Sequence, residues 1–344
     1  MNKTSSQDEI ITQLQEILDS RGNKALKLAR KKVLEEKLES KEVKDALNYF
    51  MTEYWNDVTR PALLSIICES VGGDPELTTS VAVSLILVSG AADIHDDIID
   101  QSKIKGDRQT LYGKFGKNIA LLVGDALLMK GYTELFKSIE KGIPAYKIAL
   151  ISELLKKTFY ELGDAEALEF KLRNRLDVSP EEYIHVVKKK SADVEAYARI
   201  AALLGDASEE EANALGEYGR LLGMLIILRD DMIDMMDPEE VIHRTCYEHH
   251  SLAVLYALQN SKKNLQIKSC LTSSMQLENA KAFSVLVDEA NGFSCVNEEM
   301  NKLANKASNI IQKIRKNKNI LDFLVHAVLL PDWRDYLSPQ ESDR

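Results

Sequence analysis

Two short stretches of the chain carry aspartates at the spacing Asp-Asp-x-x-Asp. The first reads SGAADIHDDIID over 89–100, and the second reads LRDDMIDMMD over 228–237. Residues three and four positions apart share one face of a helix, so each stretch groups its three carboxylates if it is helical. The six aspartates are Asp96, Asp97, Asp100, Asp230, Asp231 and Asp234.

Carboxylates at this spacing repel one another, and an isolated buried charge is very unfavourable. Each cluster must therefore be solvated, protonated or neutralised by cations. Hard divalent cations prefer oxygen ligands, and Mg²⁺ typically combines one or two carboxylates with substrate phosphates. A single cluster would fit a solvated acidic surface as well as a metal site. Two clusters of identical spacing favour a metal site in which Mg²⁺ bridges carboxylates and a diphosphate.

An apolar segment precedes each cluster and must position it. Residues 81–88 (VAVSLILV) and 221–228 (LLGMLIIL) are apolar on every side, which is typical of buried helices. Asp74 before Pro75 is a plausible cap for the first helix, and Ser208 opens the second with a capping-box pattern. We therefore expect the two clusters at the ends of two buried helices.

The composition predicts an all-α protein. The chain of 344 residues is 45% hydrophobic and 28% charged, with only 7 prolines and 16 glycines, and it lacks an alternating strand pattern. The simplest organisation is one helical domain over 10–337. A disordered N-terminal tail is expected over 1–9 and a polar C-terminal tail over 338–344.

Charge and cysteine usage exclude several classes of protein. A formal net charge of −10 argues against nucleic acid as a partner. The four cysteines are scattered, which indicates reduced thiols. The longest apolar run, 81–92, is too short to span a bilayer, and the first residues lack the apolar segment of a signal peptide. We expect a cytoplasmic protein without an integral membrane segment.

The sequence around both clusters resembles the trans-isoprenyl diphosphate synthases, also called the polyprenyl synthetase family. DIHDDIID over 93–100 matches the family's first aspartate motif, and GEYGRLLGMLIILRDDMID over 216–234 matches its second. Further similar segments are VGGDPE at 71–76, GKFGKNIALLVGDALL at 113–128, Lys190–Ser191, and LAVLYAL at 252–258. The resemblance implies an all-α bundle of the isoprenoid synthase type around a deep apolar pocket. It also implies a homodimer, or a heteromer with a related subunit.

Family chemistry begins when Mg²⁺ assists the ionisation of an allylic prenyl diphosphate, and isopentenyl diphosphate then attacks the cation. The resemblance implies that all six aspartates are metal ligands, with about three Mg²⁺ ions around the bound diphosphate. It assigns catalytic roles to Asp96, Asp97, Asp230 and Lys190, and Lys190 would hold the leaving diphosphate. Lys105 and Arg108 are further candidates for diphosphate binding, and simple solvated surface is the alternative for both.

The sequence departs from the family where relatives bind isopentenyl diphosphate. Residues 55–61 read WNDVTRP in place of Gly-Gly-Lys-Arg-x-Arg-Pro, so Asp57 and Val58 replace a lysine and an arginine. Ser89 replaces a histidine, and one of two arginines after the first motif is lost. Each missing charge-assisted contact is worth about 1.5–3 kcal/mol. The usual acceptor would therefore bind poorly.

Three hypotheses about function follow, because all six aspartates are retained whereas the usual ligands of isopentenyl diphosphate are lost. The first is a Mg²⁺-dependent prenyltransferase of isoprenoid biosynthesis whose acceptor is not isopentenyl diphosphate in the usual site. The second is a terpene-synthase-like enzyme that completes the reaction by cyclisation, elimination or capture of water. The third is a non-elongating subunit of a heteromeric synthase, which ranks last because all six aspartates are present.

Family chain length is set about one turn before the first motif. Val88, Ala91 and Ala92 are small there, so the resemblance implies an open channel and an allylic chain of about twenty carbons or more. The sequence leaves the roles of Asp93, His243, Arg244, His249 and His250 open. The last four are candidates for replacement contacts, and surface positions for the histidines agree with the sequence at least as well. Asp125, in VGDALL, is expected to support packing.

Overall fold

The structure is a computed structural model that describes residues 3–259, 262–272 and 276–329. The helices, in chain order, are α1 (Lys3–Ile17), α2 (Asn23–Leu34), α3 (Lys41–Tyr49), α4 (Thr59–Ser70), α5 (Thr78–Ile99), α6 (Leu111–Lys137), α7 (Ala145–Phe170), α8 (Pro180–Lys190), α9 (Ala192–Leu204), α10 (Glu209–Asp234), α11 (Pro238–Tyr247), α12 (Leu252–Gln259), α13 (Asn264–Thr272), α14 (Leu277–Glu289), α15 (Gly292–Ile311) and α16 (Lys318–Ala327). The strands in the described part of the chain are β1 (Ile104–Lys105) and β2 (Arg108–Gln109), which form an antiparallel hairpin. The prediction of an all-α fold is confirmed.

The described residues divide into two compact units. Unit one comprises the described parts of Met1–Leu155, Tyr197–Leu215 and Lys313–Ile320. Unit two comprises those of Lys156–Ala196, Gly216–Gln312 and Leu321–Arg344. A single domain over 10–337 stays a prediction.

The predicted tails fall largely at the margins of the described chain. Helix α1 begins at Lys3, inside the predicted N-terminal tail 1–9, whose disorder stays a prediction. The predicted C-terminal tail, 338–344, lies outside the described residues.

Helix α5 forms the centre of unit one and packs most extensively against α6. It is buried along most of its length because its sequence is apolar on every side. The two helices approach closely at Gly131 of α6, whose carbonyl oxygen accepts a hydrogen bond of 2.7 Å from Ser84 Oγ. A Cβ atom on Gly131 would lie only 2.7 Å from Cγ2 of Val88. Glycine at this position therefore allows the close contact between α5 and α6.

The segment Pro75–Ile99, which includes α5, is long and apolar enough to cross a membrane by length and composition alone. Most of it is buried inside the protein. A core helix passes the same test, so this single segment is weak evidence for membrane insertion.

In unit two, the part of α10 that leads to the second cluster is fixed by polar contacts as well as apolar ones. Tyr218 donates a hydrogen bond of 2.8 Å to the carbonyl oxygen of Leu321. Arg220 forms ion pairs with Glu161, at 2.8 Å, and with Glu195. Buried pairs of this kind fix geometry because removing one partner leaves an uncompensated charge.

The close contact at Gly131 predicts an unusual response to alanine. Gly131→Ala should lower the free energy of unfolding by about 1–2 kcal/mol, because overpacking outweighs the gain in helix propensity. Gly163 of α7 is the matched control, since a Cβ atom there would meet nothing within 4 Å. Gly163→Ala should raise stability by about 0.4–1 kcal/mol. Urea denaturation would measure both changes, and equal responses would contradict the proposed packing.

Candidate active site: two carboxylate clusters

The first cluster lies at the carboxyl end of α5 in unit one. The helix ends where the backbone N–H of Asp100 donates to the carbonyl oxygen of Asp96 at 2.9 Å. Asp97 is fully buried, whereas Asp96 is half-buried. Asp93 belongs to the same cluster, one turn earlier, and the sequence alone had left its role open.

Lys105 is the cation that neutralises this cluster. Its Nζ atom lies 2.7 Å from Asp97 Oδ1, 3.8 Å from Asp93 Oδ1 and 3.9 Å from Asp96 Oδ2. The β1–β2 hairpin places Lys105 there, in a segment that the sequence analysis did not resolve into strands. Thr110 then caps α6 by accepting a hydrogen bond of 2.9 Å from the backbone N–H of Gly113.

The charge states follow from burial and from these contacts. Burial raises the pKa of Asp97 to about 7, although Lys105 acts in the opposite direction. Burial also raises the pKa of Asp93. Burial alone would lower the pKa of Lys105, but the carboxylates of Asp93, Asp97 and Asp96 raise it well above its usual value. Lys105 is therefore a permanent positive charge at this end of α5.

The first cluster has oxygen atoms to offer a metal ion. Oδ2 of Asp93 and Oδ2 of Asp97 are buried and accept no hydrogen bond from any residue in the described parts of the chain. Buried acceptors without partners are costly and call for a cation or water. No three His, Cys, Asp or Glu side chains among residues 3–259, 262–272 and 276–329 form a ready-made metal site. The donor set therefore fits Mg²⁺ that is completed by phosphate oxygens.

The second cluster, at the end of α10 in unit two, is arranged differently. Arg244 of α11 lies 2.7 Å from Asp231 Oδ1 through Nη2 and 2.7 Å from Asp234 Oδ2 through Nη1. The hydroxyl of Tyr183 donates to Asp231 Oδ2 at 2.5 Å. Both carboxylate oxygens of Asp231 thus contact protein groups, and the role of Asp231 as a metal ligand stays a prediction. Asp230 pairs with Arg229 at 2.8 Å.

Arg244 is deeply buried, with 7% of its surface exposed. Burial alone would lower its pKa, but Asp231, Glu248 and Asp234 raise the pKa well above its usual value. Burial raises the pKa of Asp234 to about 7 despite the contact with Arg244. Burial would also raise the pKa of Glu248, yet His243 and Arg244 lower it to about 2.

A buried histidine connects Arg244 with the predicted diphosphate ligand Lys190. Arg244 Nη2 lies 3.4 Å from His249 Nε2, and His249 Nδ1 lies 3.0 Å from Glu169 Oε1. Burial and then the charge of Arg244 lower the pKa of His249 to about 3, so the ring is neutral at pH 7. Its Nδ1–H donates to Glu169, which also pairs with Lys190. The polar chain in unit two therefore runs from Asp231 through Arg244, His249 and Glu169 to Lys190.

The other residues with a predicted role contact protein groups or lie along α5. Lys190 also lies 2.9 Å from Glu166, and Arg108 donates to the carbonyl oxygen of Glu53 at 3.1 Å. The small residues before the first motif lie on α5, with Val88 and Ala91 buried and Ala92 half-buried. Asp125 lies 3.3 Å from His95, next to the close contact of Gly124 with that ring.

Sequence reasoning missed the counter-ion role of Arg244 and the part played by Tyr183. A surface position for His249 and His250 is wrong, because only 4% and 8% of their surfaces are exposed. One local signal was available: Asp237 and Pro238 are a strong helix start, which turns the following residues back as α11.

The stretch that departs from the family has its own internal ion pair. Asp57, with a side chain only 7% exposed, accepts hydrogen bonds of 3.1 Å from the backbone N–H groups of Thr59 and Arg60. Its other oxygen pairs with the guanidinium of Arg60 at 3.1 Å. The one basic residue that remains in this stretch is therefore already engaged by Asp57.

The buried histidines predict acid-sensitive stability. Burial, and then Arg244, lower the pKa of His250 to about 4 in the folded chain, against a usual value of 6.5. Between these values only the unfolded chain binds a proton at His250, so stability falls as the pH falls. The free energy of unfolding of wild type should drop relative to His250→Gln by about 1.4 kcal/mol per pH unit from pH 6 to pH 4.5. Urea titrations would measure this difference, and parallel pH profiles would contradict it.

Known proteins resemble this chain in sequence and in fold. The polyprenyl synthetase family model matches residues 41–287. A geranylgeranyl diphosphate synthase of Methanosarcina mazei is 37% identical over 184 residues, 53% of this chain and 56% of that protein. A short chain isoprenyl diphosphate synthase of Methanothermobacter thermautotrophicus is 31% identical over 182 residues, 53% of this chain and 55% of that protein. The chain thus spans little more than half the length of these relatives.

The crystal structure of a polyprenyl synthetase from Streptomyces coelicolor A3(2) superimposes with a TM-score of 0.80. The comparison covers 92% of this chain and 100% of the other at 23% sequence identity, which shows that the two share a fold. The fold is therefore that of the isoprenoid synthases, as the resemblance implied. Since the family model spans residues 41–287 of 344, the chain belongs to the polyprenyl synthetase family.

Proposed function

We propose that the chain is a Mg²⁺-dependent prenyltransferase of isoprenoid biosynthesis that ionises a long allylic diphosphate. The observation that carries the proposal is the pair of buried carboxylate oxygens, on Asp93 and Asp97, that lack hydrogen-bond donors among the described residues. They lie beside Asp96 at the end of a buried apolar helix. Family membership and relatives named as geranylgeranyl and short chain isoprenyl diphosphate synthases support the assignment.

In this proposal, Asp96, Asp97 and Asp100 hold Mg²⁺ at the first cluster. Bound Mg²⁺ supplies positive charge where negative charge develops on the leaving diphosphate. Lys105 keeps one oxygen of Asp97 oriented and adds a fixed positive charge beside the carboxylates. Before the cluster, the apolar residues of α5 offer the prenyl chain a dry environment in which a carbocation survives. The roles that the resemblance implies for Lys190, Arg108, Asp230, Asp231 and Asp234 stay predictions.

The acceptor is proposed to be a group other than isopentenyl diphosphate. Asp57 stands where the family has a lysine, and it would repel a diphosphate. It also neutralises Arg60, the basic residue that remains in that stretch. The side chains of Val88, Ala91 and Ala92 are small, which favours a long allylic chain.

The same ion pair favours a second candidate, a terpene-synthase-like activity. A cation that meets no external acceptor closes on its own chain, loses a proton or captures water. Such an enzyme would need the ionising cluster but no second diphosphate site.

A product assay separates these activities. The purified chain would be incubated with Mg²⁺ and labelled farnesyl, geranylgeranyl or geranylfarnesyl diphosphate, each with and without isopentenyl diphosphate. We expect isopentenyl diphosphate to leave the rate of diphosphate release unchanged and to yield no elongated prenyl diphosphate, because the proposed acceptor is a different group. Hydrocarbon or alcohol products would identify the terpene-synthase-like activity. Longer prenyl diphosphates formed only with isopentenyl diphosphate would contradict the proposed acceptor.

Substitution of the first cluster tests the site itself. Asp96→Asn should lower the rate of diphosphate release by about 100-fold or more, because a group that supports the developing charge is lost. Asp107→Asn is the matched control, since Asp107 is an exposed aspartate on the neighbouring hairpin, with a side chain 93% exposed. Equal rates for the two variants would contradict a metal role for the cluster.

The proposed homodimer can be tested on α6. Leu122, Met129 and Phe136 recur every seven residues and are 56%, 65% and 53% exposed, so they form an apolar stripe on one face of the helix. Met129→Glu should convert a dimer into a monomer in sedimentation velocity experiments. Lys117→Glu, at an exposed position of the same helix, should leave the dimer intact. A wild-type monomer would contradict the proposal.

A further inference from the structure

We propose that Arg244 takes the place of a divalent metal ion at the second aspartate cluster, so that Asp231 and Asp234 are neutralised by the protein itself. This inference refines the proposed function, on which it rests, by limiting where Mg²⁺ binds. The fixed cation would remove Asp231 and Asp234 from the set of Mg²⁺ ligands.

The geometry of Arg244 is that of a bridging cation. Two different nitrogens of one guanidinium contact two different carboxylates, Asp231 and Asp234, each at 2.7 Å. Nε of Arg244 lies 3.5 Å from Glu248 Oε2, so a third carboxylate faces the same group. Arginine suits this position because its charge is permanent and its donors are planar and fixed. A divalent ion that took the position of the guanidinium would have to displace all three contacts.

Each carboxylate oxygen of Asp231 already has a donor from the protein. Arg244 binds Oδ1, and the hydroxyl of Tyr183 donates to Oδ2. Tyr183 is itself buried, with 1% of its surface exposed, so its hydroxyl cannot turn to water without moving the surrounding helix. The first cluster differs, because Oδ2 of both Asp93 and Asp97 lacks any such donor among the described residues.

Neighbouring groups hold Arg244 in place. Glu248 lies one helical turn later and is bound by His243 at 3.1 Å. On the opposite side, His249 presents its unprotonated Nε2 to the guanidinium because its Nδ1–H is used by Glu169. Asp231, Glu248 and His249 thus each have a second partner, and displacing the arginine would disturb all three. The arrangement is that of a structural cation.

The count of bound Mn²⁺ ions tests the inference without requiring turnover. Electron paramagnetic resonance would measure Mn²⁺ bound per chain, with and without inorganic diphosphate, for wild type and for Asp231→Asn. We expect the same number of ions for both, because Asp231 does not bind metal while Arg244 is present. The loss of one ion in Asp231→Asn would overturn the inference.

A gain of metal binding is the complementary test. Arg244→Met leaves the carboxylates of Asp231 and Asp234 without a cation, so this variant should bind about one additional Mn²⁺ per chain, and its melting temperature should rise more with Mn²⁺ than that of wild type. The double variant Arg244→Met/Asp231→Asn should lose that gain. Arg220→Met, which removes a half-buried, ion-paired arginine elsewhere in unit two, should bind as many ions as wild type.

No gain in a folded Arg244→Met variant, or an equal gain in Arg220→Met, would count against the inference. If Arg244→Met does not fold, the comparison of wild type with Asp231→Asn decides alone. Failure of the proposed function would be seen separately, as longer prenyl diphosphates formed only with isopentenyl diphosphate in the product assay.

Discussion

The neutralisation of crowded carboxylates is the constraint on which the described structure depends. Each Asp-Asp-x-x-Asp motif ends an apolar helix, so its carboxylates enter a partly dry environment where unpaired charge is costly. Lys105 meets this requirement at the first cluster and Arg244 at the second. The two clusters differ in which carboxylate oxygens still lack a hydrogen-bond donor. The first cluster keeps oxygen acceptors without donors among the described residues, whereas each oxygen of Asp231 in the second has a donor.

The helices set these positions through close packing and ion pairs. Glycine at 131 lets α6 approach the middle of α5 beside Ser84 and Val88. In unit two, Arg220 holds α10 against the helices that carry Glu161 and Glu195. Where the family uses basic residues for a second diphosphate, an ion pair between Asp57 and Arg60 stabilises the start of α4. The stretch that binds a diphosphate in the family thus has a structural role here, which agrees with the proposal of a different acceptor.

Sequence reasoning predicted the helices well because their signals are local. Apolar runs before each motif and the caps at Asp74 and Ser208 predicted buried helices, and the structure has α5 and α10 there. The partners of the aspartates were not predictable in the same way. Arg244 reaches Asp231 only because a turn at Asp237 reverses the chain, and no periodic pattern records which charges then meet. Histidines in a polar segment likewise gave no sign of burial, since burial depends on the neighbouring helices.

One measurement tests the account most directly: the location of Mn²⁺ by anomalous diffraction from crystals grown with inorganic diphosphate. We predict anomalous density beside Asp96 and Asp97, with Arg244 still bound to Asp231 and Asp234. Density at Asp231 with Arg244 displaced, or no density at the first cluster despite bound diphosphate, would contradict the account.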